Sequence, residues 1–98
     1  MVHEFLHQGA ENAASTAELV RLLDFKSSRD LQEIIARERD EGHLILSTSQ
    51  NGGGYFLPDD GDKGQSEIRA FVRTLHNRAT NTLRAAATAR AALEDDGA

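Results

Sequence analysis

The 98-residue sequence contains no cysteine and a single proline, and aromatic side chains make up only 5% of it. Without cysteine there is no disulfide, no thiolate metal ligand and no cysteine nucleophile, so the fold must rest on packing alone. That demand is heavy for so short a chain, and it makes self-association attractive. Also missing is any run approaching the roughly 18 apolar residues that span a bilayer. The start of the sequence lacks the basic stretch and apolar core of a secretory signal. The expectation is one cytoplasmic domain with no membrane partner.

Catalytic signatures are equally scarce. No P-loop pattern and no Ser/His/Asp arrangement stands out. The stretch HEFLH, residues 3–7, matches the zinc-peptidase pattern HExxH letter for letter. Such peptidases carry that pattern mid-helix, with a third ligand downstream and a substrate cleft around it. Here it opens a chain too short to build that cleft, and Phe5 and Leu6 are better used as core. The chain is therefore read as a non-enzyme, with no metal and no cofactor assigned.

Basic residues are outnumbered, 11 Lys and Arg against 16 Asp and Glu, for a net charge of −5 and a pI near 5.2. This is the wrong sign for a protein that touches phosphates. The distribution modifies that statement. Residues 1–57 hold five basic against nine acidic side chains, whereas residues 65–93 hold five arginines against Glu67 alone. The basic element is the carboxyl-terminal stretch.

Val2, Phe5 and Leu6 fall at helical spacing and predict a short opening helix ending near Gly9. Ser15 followed by Glu18 is a capping box, in which each side chain satisfies a free backbone donor, so a helix should run over 16–23. Its apolar face is Leu19, Leu22 and Leu23. Asp24 then stands where helices stop in a left-handed residue, a role Gly favours and Asp tolerates. Ser27 with Asp30 repeats the start signal and predicts a helix over 28–41, ended by Gly42. Leu31, Ile34 and Ile35 form its buried stripe, and the opposite face carries Arg29, Gln32, Glu33, Ala36, Arg37 and Asp40.

Residues 43–47 and 55–57 read as paired strands joined by 48–54, which contains three consecutive glycines. Pro58 ends this hairpin, and 59–64 (DDGDKG) reads as a polar connector. Nothing then breaks a helix over 65–94, the last residues 95–98 forming a flexible tail. Ile68, Val72, Leu75, Ala79, Thr82, Ala86, Ala89 and Leu93 alternate at spacings of four and three, which is a heptad seam, alanine-rich in its second half.

Helix, helix, turn, helix and a glycine-tipped hairpin is the order of a winged helix-turn-helix domain, here over 1–58. The fold class is mainly α (α+β), with a two-stranded wing and a long C-terminal helix. The segment ELVRLLDFKSSRDLQEIIARERDEG, Glu18 to Gly42, followed by HLILSTSQNGGGYFLP, resembles small winged-helix proteins of bacteriophages and prophages. The long Arg- and Ala-rich helix after a short linker resembles theirs too, although Asp24 stands where their turn usually has Gly. The resemblance implies a transcriptional regulator of a bacterial host cell that inserts helix 28–41 in the major groove of double-stranded DNA and lays the wing on the flanking backbone. The DNA-facing residues would be Lys26, Ser28, Arg29, Gln32, Glu33 and Arg37, with Ser49, Gln50 and Asn51 in the wing. Arginine suits guanine edges or phosphate, glutamine suits adenine, and Glu33 can accept from cytosine. An ordinary solvated helix face stays open as the other reading of these residues.

The heptad seam implies a homodimer or higher oligomer, which would pair two recognition helices across a two-fold axis. Docking of the long helix on its own domain through Ile68, Phe71, Val72 and Leu75 is the alternative, and both can hold at once. From a different functional class comes a protein-binding module: an acidic winged helix that inhibits or adapts a host protein, such as a defence nuclease, by occupying its basic channel.

Overall fold

The computed structural model describes residues 1–97, apart from the side chains of Asn51 and of residues 95–97. In chain order it holds a 3-10 turn His3–Phe5, a second one Ala10–Asn12, helix α1 Thr16–Leu22, helix α2 Ser28–Asp40, strand β1 Leu46–Thr48, a third 3-10 turn Gln50–Gly52, strand β2 Gly54–Phe56 and helix α3 Gly61–Gly97. The chain is thus mainly helical, with one two-stranded antiparallel sheet and a long C-terminal helix.

Both helix starts form as their sequences dictate. Ser15 accepts the Glu18 amide at 3.1 Å and donates its hydroxyl to the Glu18 carboxylate, while Ser27 accepts the Asp30 amide at 3.3 Å. Each cap satisfies a backbone donor that the helix itself leaves free. Between α1 and α2, Asp24 adopts φ 57°, the left-handed turn expected of it. One main core forms beneath the two helices from Val2, Leu6, Leu19, Leu31, Ile35 and Ile45, with Phe25, Ile34 and Leu57 packed around it.

The opening segment departs from expectation. Only His3–Phe5 is helical, as a single 3-10 turn, and the chain then runs extended past Leu6. Val2 and Leu6 reach the core by this route, while Phe5 is left exposed. The reason is pairing with the hairpin: the Leu57 amide donates to the His7 carbonyl at 2.8 Å and the Gly9 amide to the Leu57 carbonyl at 2.9 Å. Ala14 likewise exchanges two 2.9 Å hydrogen bonds with Tyr55. β2 is therefore flanked on both sides, by β1 and by this N-terminal strand-like segment. Gly54 makes the approach possible, since a Cβ there would stand 2.6 Å from the Ala14 carbonyl oxygen.

The hairpin pairs Leu46 with Phe56, Ser47 with Tyr55 and Thr48 with Gly54. It is shorter than expected, because residues 43–45 turn back onto α2 instead of joining the ladder: the His43 amide donates to the Glu38 carbonyl at 3.0 Å. A second small core, Leu46, Phe56 and Phe71 with Ala10, Ala13 and Ile68 at its edge, seats the first turns of α3 on the sheet.

α3 starts at Gly61, inside the expected connector. Its first turns are tied down by Glu67, whose two carboxylate oxygens accept the Ala10 amide at 2.8 Å and the Asp59 amide at 2.9 Å. Lys63 adds ion pairs to Glu11 at 2.6 Å and to Asp59 at 2.8 Å, and those carboxylates raise its pKa above the usual lysine value. Gly64, the last residue of the expected connector, is where the backbone of Asp59 crosses the helix; a Cβ there would collide with the Asp59 carbonyl. The helix continues through Gly97, over residues expected as a flexible tail. From Val72 to Glu94 every side chain is exposed, so most of α3 projects from the domain and accounts for its 54 Å long axis.

Candidate functional site

Lys26, Ser28, Arg29, Gln32, Glu33 and Arg37 are all exposed. α2 buries Leu31, Ile35 and Glu38 along one stripe, which leaves these polar residues on the solvent side of the helix and its preceding turn. Two of them neutralise each other, since Arg29 stands 3.6 Å from Glu33 one turn on. Such an exposed pair contributes little to stability, so Arg29 is free to exchange it for another acceptor. At the hairpin tip Ser49 and Gln50 are exposed, and the Thr48 hydroxyl accepts the Gln50 amide at 3.1 Å. The third residue expected to contact DNA at the hairpin tip, Asn51, has its side chain outside the described ones. Gln32, Ser49 and Gln50 form part of the wall of one cleft, which Lys26, Ser28, Arg29, Glu33 and Arg37 do not line.

This cleft, with a volume of about 1020 Å³, lies between α2, the hairpin and α3. Arg39, to which the sequence assigns no role, and Arg78, one of the five arginines of the basic carboxyl-terminal stretch, line it. Arg39 is half-buried; its Nε donates to the Ile45 carbonyl at 2.9 Å and its guanidinium sits 5.0 Å from the centre of the Phe71 ring. A cation over an aromatic face contributes about 0.5–2 kcal/mol as it is desolvated. Its Nη2 is shielded from solvent and has no acceptor among the described residues. Leaving a charged donor unpaired costs about 1–3 kcal/mol or more. Burial, and then the positive charge of Arg78, lower the pKa of Arg39, with Tyr55 acting in the opposite sense.

α2 also carries a buried carboxylate, Glu38, 4% exposed. It accepts the backbone amides of Val2 at 2.9 Å and His3 at 3.0 Å, bonds the His3 ring nitrogen Nδ1, and faces the Met1 amino group at 3.3 Å. Burial alone would raise its pKa, but the His3 and Val2 hydrogen bonds outweigh it and hold the carboxyl at about 2. The His3 ring stacks on His43 at 3.7 Å. His3 is thus engaged in anchoring the N-terminal segment, and His7 follows in extended chain. The two histidines of the HEFLH stretch do not share a helical face, and among the described residues no cluster of metal-ligating side chains forms.

In the long helix, Ile68 is half-buried against Phe71 and the sheet, so this first seam position is occupied by the chain's own domain. The other seam residues, Val72, Leu75, Ala79, Thr82, Ala86, Ala89 and Leu93, are exposed. No described helix is long and apolar enough to cross a membrane. Comparison of the chain with protein-family models, with curated proteins and with solved structures finds no match.

Proposed function

We propose that the chain is a winged-helix DNA-binding protein, a transcriptional regulator of the phage and prophage type. The observation that carries this reading is the outward face of α2: Lys26, Ser28, Arg29, Gln32 and Arg37 stand exposed beside a hairpin whose tip exposes Ser49 and Gln50. A helix presented in this way fits the major groove, and a hairpin at its flank reaches the neighbouring backbone.

The exposed seam from Val72 to Leu93 serves to pair two copies, which sets two α2 helices at a fixed spacing on DNA. The test is duplex affinity as a function of salt, with Arg29→Ala and Arg37→Ala as variants. Affinity should fall with salt and each variant should weaken it.

A second reading, a protein-binding module that inhibits or adapts a host protein, is favoured by one observation. The net charge is −5, and Glu33 and Asp40 offset Arg29 and Arg37 on the α2 face. Salt-resistant capture of a host protein, with no duplex binding at low salt, would select it.

A further inference from the structure

We propose that the cleft between the hairpin and α3 binds the oxyanion of a small ligand, a phosphate or a carboxylate, through Arg39 and Arg78. The assignment does not depend on the DNA reading. It starts from an imbalance of charge: two guanidinium groups line one cleft, and Glu67, the carboxylate on the same wall, already has both oxygens engaged by the Ala10 and Asp59 amides. Arg39 keeps an unpaired Nη2 beneath the cleft surface although buried polar groups in folded proteins nearly always find a partner.

Arg39 is also held in place. Its Nε is fixed to the Ile45 carbonyl and its planar group lies over Phe71, so little side-chain freedom remains to be lost on binding. A guanidinium fixed at Nε and still unpaired at Nη2 is suited to one more charge-assisted acceptor, a carboxylate or phosphate oxygen. Around the two arginines the wall offers the hydroxyl of Ser47 and the side chains of Tyr55 and Phe71, while the Thr74 hydroxyl donates to the Ala70 carbonyl at 3.1 Å. The wall is mainly polar, with serine, threonine and glutamine side chains beside Tyr55 and Phe71, and about 1020 Å³ is at the upper end of the size of small-ligand sites. The occupant is therefore an anion carried on a polar molecule that the hydroxyl- and amide-bearing wall can solvate. Gln32 belongs both to this cleft and to the outward side of α2, so a bound ligand touches the helix proposed to read DNA.

The test is a ¹⁵N NMR titration of the full chain with inorganic phosphate and, separately, with acetate, each against sodium chloride at matched ionic strength. Saturable shifts centred on Arg39, Ser47, Thr74 and Arg78 are expected with at least one anion, and which anion saturates distinguishes phosphate from carboxylate. Arg78→Gln should weaken the apparent affinity about tenfold, the loss of one charge-assisted contact. Arg39→Gln should abolish saturation, and Arg90→Gln, on the exposed part of α3, should leave it unchanged. Arg78 is exposed, so its variant keeps the test decisive if Arg39→Gln does not fold. Shifts that match chloride for both anions, saturation undiminished in Arg78→Gln, or a response at these residues to duplex DNA alone would overturn the proposal.

Discussion

The guanidinium of Arg39 lies 5.0 Å from the centre of the Phe71 ring, joining α2 to α3 at the base of the cleft. Phe71 is also the residue through which α3 reaches the sheet, packed on Leu46 and Phe56. Phe71→Ala should cost about 3 kcal/mol, at the low end for a large buried aromatic because 9% of the residue is exposed. It should also speed tryptic cleavage at Lys63 and Arg69. Urea unfolding at an unchanged midpoint would show that α3 is not seated by this residue.

Gly64→Ala should destabilise the chain by about 1–3 kcal/mol, the cost of forcing an atom into a closed contact. In an ordinary helix the same change is favourable by about 1 kcal/mol, so the sign itself is the test. The cause is the crossing of Asp59 over the helix, which leaves no space for a Cβ. A raised melting temperature in Gly64→Ala would contradict that geometry.

Glu38 gives the fold a defined acid sensitivity. Its carboxyl titrates at about 2 in the folded chain against 4.5 for an ordinary glutamate, so the folded state takes up this proton less readily than the unfolded one. The stabilisation is complete above pH 4.5 and is lost as the pH falls towards 2, a change on the order of 2–3 kcal/mol. The groups facing it are His3, with His43 stacked behind, and the Met1 amino group. Glu38→Gln should lower stability at pH 6 and flatten the dependence over this window, as followed by urea unfolding at a series of pH values. A slope between pH 4.5 and 2 as steep as that of the parent would remove Glu38 from the account.

Association should depend on the projecting part of α3. A chain ending at Thr80 keeps Glu67, Ile68 and Phe71, which hold α3 to its own domain, and loses Thr82, Ala86, Ala89 and Leu93 of the seam. Light scattering should find the full chain at twice its 10.7 kDa mass or more and the shortened chain as a monomer. Equal, monomeric masses per chain for both would reject pairing through the seam.

Much of the helical frame is legible in the sequence because its signals are local. Ser15 and Ser27 each cap a helix by reaching only three residues ahead, and Asp24 turns the chain by its own φ. What escapes the sequence depends on distant partners. Val2 and Leu6 have helical spacing, yet Leu57 draws the following residues into extended pairing. Gly64 reads as the end of a connector, whereas it lies inside α3 with Asp59 across it. The cleft escapes for the same reason: Arg39 becomes distinctive only when Ile45, Phe71 and Arg78 converge on it from two other segments. Glu38 did leave a trace, since it continues the spacing of Leu31 and Ile35 and so sets a carboxylate on the buried stripe.

The central claim is that the outward face of α2 reads DNA, and fluorescence anisotropy tests it most directly. The full chain is titrated onto random duplex and onto the DNA upstream of its own gene, at low and at physiological salt. The account predicts tighter binding to the upstream DNA, weaker binding as salt rises, and loss of the preference in Arg29→Ala. No binding to either duplex at low salt would contradict it.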